Sequence, residues 1–256
     1  MQNNIISTLF VGQNLLTLKE VDSTNNFLKS LLTNSKPLPE GTVIMADHQY
    51  AGRGQQQNKW LSEPGKNLTF SILFKPTFIK AVNQFDLTRA MSLGVYDALY
   101  QLLGEGLKIK WPNDIYYNDS KLGGMLIENI VQGEKINNSV VGIGLNINQD
   151  SFSEEASNGT SVKKILHKDY ELRLLLSEIC SHIEAYYLHL KAGKIDFVRK
   201  AYLQRLYWLN EPRQFKAYDE IFSGVIEGIA DNGLLQISRN GVIVSYNLKE
   251  IEFLNK

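Results

Sequence analysis

Residues 107–128 constrain the fold more than any other part of this chain. They read L-K-I-K-W, a P-N-D break, I-Y-Y, an N-D-S-K turn and L-G-G-M-L-I-E. Asn, Asp and Ser bond to their own neighbouring backbone and so favour turns, which makes this stretch short strands meeting at tight turns. Upstream, the spacing predicts a helix over 84–103, with Ala90, Met91, Val95, Ala98, Leu99 and Leu102 on one face. Downstream, 138–148 (N-S-V-V-G-I-G-L-N-I-N) is strand-like. Strands are also read over 41–48 and 67–75. A helix over 22–33 opens on capping residues and continues with Phe27, Leu28, Leu31 and Leu32 at helical spacing. The segment 49–66 between the two strands is rich in Gly, Gln, Asn and Lys, and a loop of that length inside a compact domain is usually functional or disordered. After a polar loop over 150–160 come two helices, 170–191 and 194–208. The first turns Leu172, Leu175, Leu176, Ile179, Ile183 and Tyr187 inward. The texture changes at Glu211-Pro212 to short alternating strands with Asn232-Gly233 and Asn240-Gly241, a strong hairpin signal. The expected fold class is α+β: a mixed β-sheet packed with helices over 1–209, followed by a small β domain over 210–256.

Bulk properties exclude several classes. Lys plus Arg and Asp plus Glu are 27 each, so net charge points to neither DNA nor a membrane surface. One cysteine, Cys180, excludes an internal disulfide and a cysteine-rich zinc site, and its place in a helical pattern reads as a small buried apolar side chain. The first residues have no basic region before an apolar run, and no apolar stretch approaches bilayer length. A soluble, cytoplasmic protein is expected.

Three segments offer chemistry. Ala51-Gly52-Arg53-Gly54 follows a strand: the glycines let backbone N–H groups approach an anion, and the Arg53 guanidinium is a planar fork for carboxylate or phosphate oxygens. It is not the phosphate loop of nucleotide hydrolases, and alone it is equally an exposed loop. Lys110-Trp111-Pro112-Asn113-Asp114 sets one amide and one carboxylate at a strand end, oxygen donors that suit Mg²⁺ beside phosphates. Alone it is equally a turn with a buried tryptophan. Lys121 in K-L-G-G can aim its ammonium at something lying on bare backbone, and Gly142-Ile143-Gly144-Leu145-Asn146 repeats that theme. Their plain readings are a surface lysine and tight strand packing. Taken together, Arg53, Lys59, Lys66, Lys110 and Lys121 at glycine-punctuated strand ends, with Asp114 as the acid, suggest a polyphosphate site with a metal.

Ser23-Thr24-Asn25, A-G-R-G with Trp60, K-W-P-N-D, K-L-G-G-M-L-I-E and G-I-G-L-N-I-N resemble, in order and spacing, the biotin–protein ligase family, over residues 20–150. The β-rich tail is similar to that family's SH3-like C-terminal barrel. The resemblance implies the class II synthetase-like biotin/lipoate ligase fold and a two-step reaction with Mg·ATP. Biotin is activated to biotinyl-5′-AMP with release of pyrophosphate, then transferred to a lysine of a biotin carboxyl carrier domain. It implies that Ser23, Thr24, Asn25 and Gln49 hold biotin, that Gly52, Gly124 and Gly142 line its slot, and that Trp60 stacks on adenine. Asn113, Asn146 and Gln55 would meet the nucleotide, and Asp114 the Mg²⁺. Arg53 and Lys121 would neutralise the reacting anions, with Lys110 supporting them.

Two positions depart from the family pattern. Where many members have a further arginine and then a glycine, this chain has Gln55 and Gln57. Gln55 has no charge and Gln57 does not adopt positive φ cheaply, so altered retention of the adenylate is expected. Members that repress transcription have an N-terminal winged-helix domain. The segment before Ser23 is too short for one, so no operator binding is expected. The rival lipoate–protein ligases share the fold and the adenylation chemistry, but the R-G…W loop, K-W-P-N-D and K-L-G-G match the biotin enzymes. A nucleic-acid-binding module is disfavoured by the neutral charge. A homodimer pairing along an edge strand at 138–144 is also expected to be available.

Overall fold

The computed structural model describes residues 6–33, 37–55 and 58–254. Seven strands form one sheet: β1 (Leu15–Val21), β2 (Val43–Gln49), β3 (Leu68–Phe74), β4 (Leu107–Lys110), β5 (Asp114–Tyr117), β6 (Ser120–Gln132) and β7 (Lys135–Leu145). Their order is β1-β2-β3-β7-β6-β5-β4. β1 and β2 run parallel and every other pair antiparallel, so the sheet is mixed, as expected for the α+β class.

Both faces of the sheet are covered, and strand alternation divides the labour. On β2, β3 and β7, Ile44, Leu73 and Val140 turn one way and pack with Leu28 of helix α1 (Thr24–Leu32). Their neighbours Val43, Met45, Ile72, Phe74 and Val141 turn the other way, into the main core beneath α2 (Phe85–Leu103) and α4 (Leu172–Lys191). That is why β3 is buried along its whole length instead of alternating. α2 and α4 approach closely at Gly94, where a Cβ would meet the Ile183 backbone at 2.6 Å. Cys180 is buried in α4 and its thiol is pushed up to about 12 by burial.

Several sequence expectations need correction. Leu102 is exposed; Leu103 turns inward instead, with Leu87 completing the stripe. The final helix, α5 (Ile195–Gln204), ends before 208, and a short helix α3 (Val162–Leu166) had no sequence signal. Residues 138–144 are no edge. β7 lies between β3 and β6, and its backbone groups are taken up on both sides.

The C-terminal residues form a second sheet from β8 (Pro212–Ala217), β9 (Glu220–Ile229), β10 (Leu235–Arg239), β11 (Val242–Tyr246) and β12 (Glu252–Phe253), in the order β11-β10-β9-β8-β12. Among the described residues β11 and β12 do not pair, so this sheet does not close into the expected barrel. Asn240 (φ 51°) and Gly241 (φ 79°) make the tight β10–β11 turn that the sequence announced. At the other hairpin only Gly233 (φ 95°) has positive φ, and the connection is longer. That turn docks on α2 and on the β4–β5 turn. Arg89 donates to Ala230 O at 2.7 Å, and the Trp111 indole donates to Gly233 O at 2.9 Å. No helix among the described residues is long and apolar enough to cross a membrane.

Candidate active site

The sheet register brings K-W-P-N-D, K-L-G-G and G-I-G-L-N into one row. Lys110 stands opposite Asp114, Asp114 opposite Gly124, Gly124 opposite Gly144, and Gly144 opposite Thr69. The next row on the same face is Leu126, Gly142 and Ser71. This is the face that α1 covers, but near the helix N-terminus glycines replace the apolar side chains. The result is a floor of bare backbone beneath a cavity of about 330 Å³. Larger residues would close it. A Cβ on Gly142 collides with the Asn25 amide oxygen, and one on Gly144 collides with the Trp60 indole.

One wall is the start of α1. Ser23 is the helix N-cap, yet its side chain does not cap. The cap is supplied from β2: Gln49 Oε1 accepts from Thr24 N at 2.7 Å and from Thr24 Oγ1 at 3.0 Å. The Ser23 hydroxyl therefore remains available to a ligand, while the Gln49 amide is fixed with its nitrogen toward Gly52. Ser71 ties the wall to the sheet through Thr24 Oγ1 (2.7 Å) and Asn25 Oδ1 (2.6 Å).

The cations surround the opening. Lys121 pairs with Asp114 at 2.7 Å, and Arg53 pairs with Glu128 at 2.9 Å, all four side chains being partly solvent-accessible. Lys110 is different: its ammonium sits 4.7 Å from the Tyr116 ring centre, 5.9 Å from Tyr207 and 4.9 Å from Phe253 of the second sheet. Burial in this aromatic box lowers its pKa, which Asp114 partly offsets. An anionic ligand held by Arg53 and Lys121 over glycine backbone is what such a site accommodates.

The sequence profile of the biotin/lipoate A/B protein ligase family matches residues 18–146. That span contains the whole floor and both cation pairs. The chain belongs to this family. It is 26% identical over 250 residues to the bifunctional ligase/repressor BirA of Bacillus subtilis, covering 96% of this chain and 76% of that protein. It is 28% identical over 224 residues to the biotin–[acetyl-CoA-carboxylase] ligase of Paracoccus denitrificans, covering 85% of this chain and 91% of that one. Among solved structures, the biotin protein ligase from Aquifex aeolicus in complex with biotin and ATP superposes with a TM-score of 0.80 at 28% identity. The match covers 95% of this chain and all of that one.

Most of the residues expected for a biotin/lipoate ligase converge. Ser23, Thr24, Asn25, Gln49, Arg53, Gln55, Trp60, Lys110, Asn113, Asp114, Lys121, Gly124 and Gly142 line the cavity. Gly52 stands behind it, admitting the Trp60 carbonyl, and Lys66 does not line it. Asn146 lines an adjoining cavity of about 600 Å³, which shares Trp60 and Lys121 with the first. Trp60 therefore stands at the junction of the two, its ring seated on Gly144. The Asn113 side chain is a structural tie, its amide nitrogen donating to Met125 O. The Pro112 carbonyl accepts from Tyr202 of α5 at 2.7 Å, so the whole turn is anchored from below. Gln57 lies outside the described residues. Sequence reasoning missed Ser71, Glu128 and, from β12 and the connection before it, Leu248, Ile251, Glu252 and Phe253. Glu128 ends the K-L-G-G-M-L-I-E motif and could have been weighed; the last four belong to no motif.

Proposed function

We propose that this chain is an ATP-dependent biotin–protein ligase. The observation that supports this most is the register row: Lys110, Asp114, Gly124 and Gly144, drawn from three separate motifs, meet on four neighbouring strands under one cavity. In the first step a biotin carboxylate oxygen attacks the α-phosphorus of ATP. The bond to the β-phosphate oxygen breaks and pyrophosphate leaves with the electron pair. In the second, a neutral lysine amine of a carrier domain attacks the acyl carbon of the adenylate. An amide forms, AMP departs and the amine proton is lost to solvent. The first step brings two negative groups together and the second develops negative charge on the acyl oxygen and the departing AMP, so Arg53 and Lys121 act by neutralising that charge. Ser23, Thr24 and Gln49 hydrogen-bond the ureido ring, and Gly124 and Gly142 leave room for the bicycle. Trp60 stacks on adenine.

Magnesium fits the donor set. Asp114 offers a carboxylate, and Asn146 Oδ1 is buried with no hydrogen-bond partner among the described residues. Such an ion keeps waters and phosphate oxygens as most of its ligands and needs few from the protein. Bound there, it would neutralise phosphate charge. We divide the chain at 209/210 into a catalytic domain and a small SH3-like β domain.

The test is incubation with biotin, Mg·ATP and a carboxyl carrier domain, read by mass. A biotin-sized increment on the carrier lysine supports the reading; an increment only with lipoate, or none, overturns it. Gln55 lines the cavity where the family pattern has an arginine. Gln55→Arg adds a charged donor to the anion site, so adenylate loss from the purified complex slows about tenfold. Equal off-rates would remove Gln55 from the account of retention.

A further inference from the structure

We infer that Glu128 is the positioning residue for Arg53, an assignment that rests on the ligase reading above. Glu128 follows Gly124 and Leu126 on the same face of β6, so it stands at the end of the cavity floor, where β6 is paired with β7 at Val140. Three donors from two other segments converge on it. Asn25 and Lys29, one turn apart on α1, donate at 2.8 and 2.7 Å. Arg53, on a loop, places one terminal nitrogen 3.2 and 2.9 Å from the two carboxylate oxygens. Burial by itself would raise the Glu128 carboxyl; the bonds from Lys29 and Asn25 and the Arg53 charge hold it below the ordinary range.

The single-nitrogen contact is informative. A guanidinium has five N–H donors, and among the described residues Nε and the other terminal nitrogen of Arg53 make no hydrogen bond. Glu128 therefore fixes the orientation of the arginine without using up its fork, leaving donors for the carboxylate or phosphate of a ligand. The tie also runs back to the wall that receives the ureido ring. Gln49 bonds Thr24, Thr24 and Asn25 bond Ser71, and Asn25 bonds Glu128. The ring end and the anion end of the slot are thereby held in fixed relation by buried and half-buried bonds.

The experiment measures pyrophosphate release with biotin and Mg·ATP for the full chain and for Glu128→Gln, Glu128→Asp, Arg53→Ala and the double variant Glu128→Gln/Arg53→Ala, with melting temperatures alongside. Glu128→Gln keeps the shape but loses the charge, so kcat/KM for biotin falls about tenfold through misorientation of Arg53. Glu128→Asp recovers part of the loss. In the Arg53→Ala background the Glu128→Gln effect shrinks to the small remainder carried by the bond to Asn25, because there is no guanidinium left to orient. A Glu128→Gln protein as fast as or faster than wild type overturns the inference, and so does an undiminished effect in the Arg53→Ala background. Absence of pyrophosphate release by the wild-type chain overturns the ligase reading instead.

Discussion

Lys121→Ala will slow adenylate formation by about 10²–10³-fold while leaving the fold intact. The lysine is partly exposed and makes one described side-chain contact, the 2.7 Å pair with Asp114, so little packing is lost with it. The catalytic loss is larger than that surface-like stability effect because two negative groups, a carboxylate and an α-phosphate, must approach over neutral glycine backbone. Removing the ammonium also takes from Asp114, beside Gly124, its ion-pair partner. Arg53→Ala acts at the other cation and falls in the same range. The double variant loses less than the product of the two, since the pair neutralises one shared charge. Single-turnover pyrophosphate release, with the melting temperature as control, reads this directly. A rate within about threefold of wild type would show that Lys121 does not face the reacting anions.

How much of this site was legible in the sequence depends on the range of the interaction. The glycines, Arg53, Lys121 and Asp114 were visible because each belongs to a short run whose chemistry is local. That Asp114 meets Gly124 and Gly124 meets Gly144 was not. Register is set by long-range pairing of β5, β6 and β7, and a one-residue slip would turn every one of these side chains to the other face. β1 was missed because Lys19 and Glu20 interrupt its apolar pattern, as the open side of an edge strand permits. The 138–144 segment misled for the opposite reason. The segment was expected to offer a pairing edge, whereas it is a central strand, and its glycines make room for Asn25 and Trp60 above it. Phe253 could not have been assigned to Lys110 at all, since the contact joins two sheets.

The docking of those sheets gives the largest expected stability effect. Asp86, at the start of α2, is 2% exposed and accepts from Arg89 at 2.6 Å and from Arg199 of α5 at 2.9 Å through each oxygen. Arg89, equally buried, passes its other donors to Ala230 O, and Arg199 pairs with Asp231 at 2.6 Å. Burial lowers the Arg89 pKa, opposed by its bond and charge contact with Asp86. Asp86→Ala therefore strands a buried guanidinium, and breaking such a pair costs about 3–5 kcal/mol. For a chain of this size that lowers the melting temperature by roughly 6–20 °C. Asp86→Asn, which keeps an acceptor but no charge, falls between. The loss is also directional. The arginines hold the turn that receives the Trp111 indole, so amide exchange at Ala230 and Gly233 rises before exchange in β3. Loosening the second sheet withdraws Phe253 from Lys110, and activity then falls at temperatures where the first sheet is still folded. A melting shift below about 2 °C, with unchanged exchange at the turn, would mean that Arg89 finds water when Asp86 is gone and that the network does not hold the sheets together.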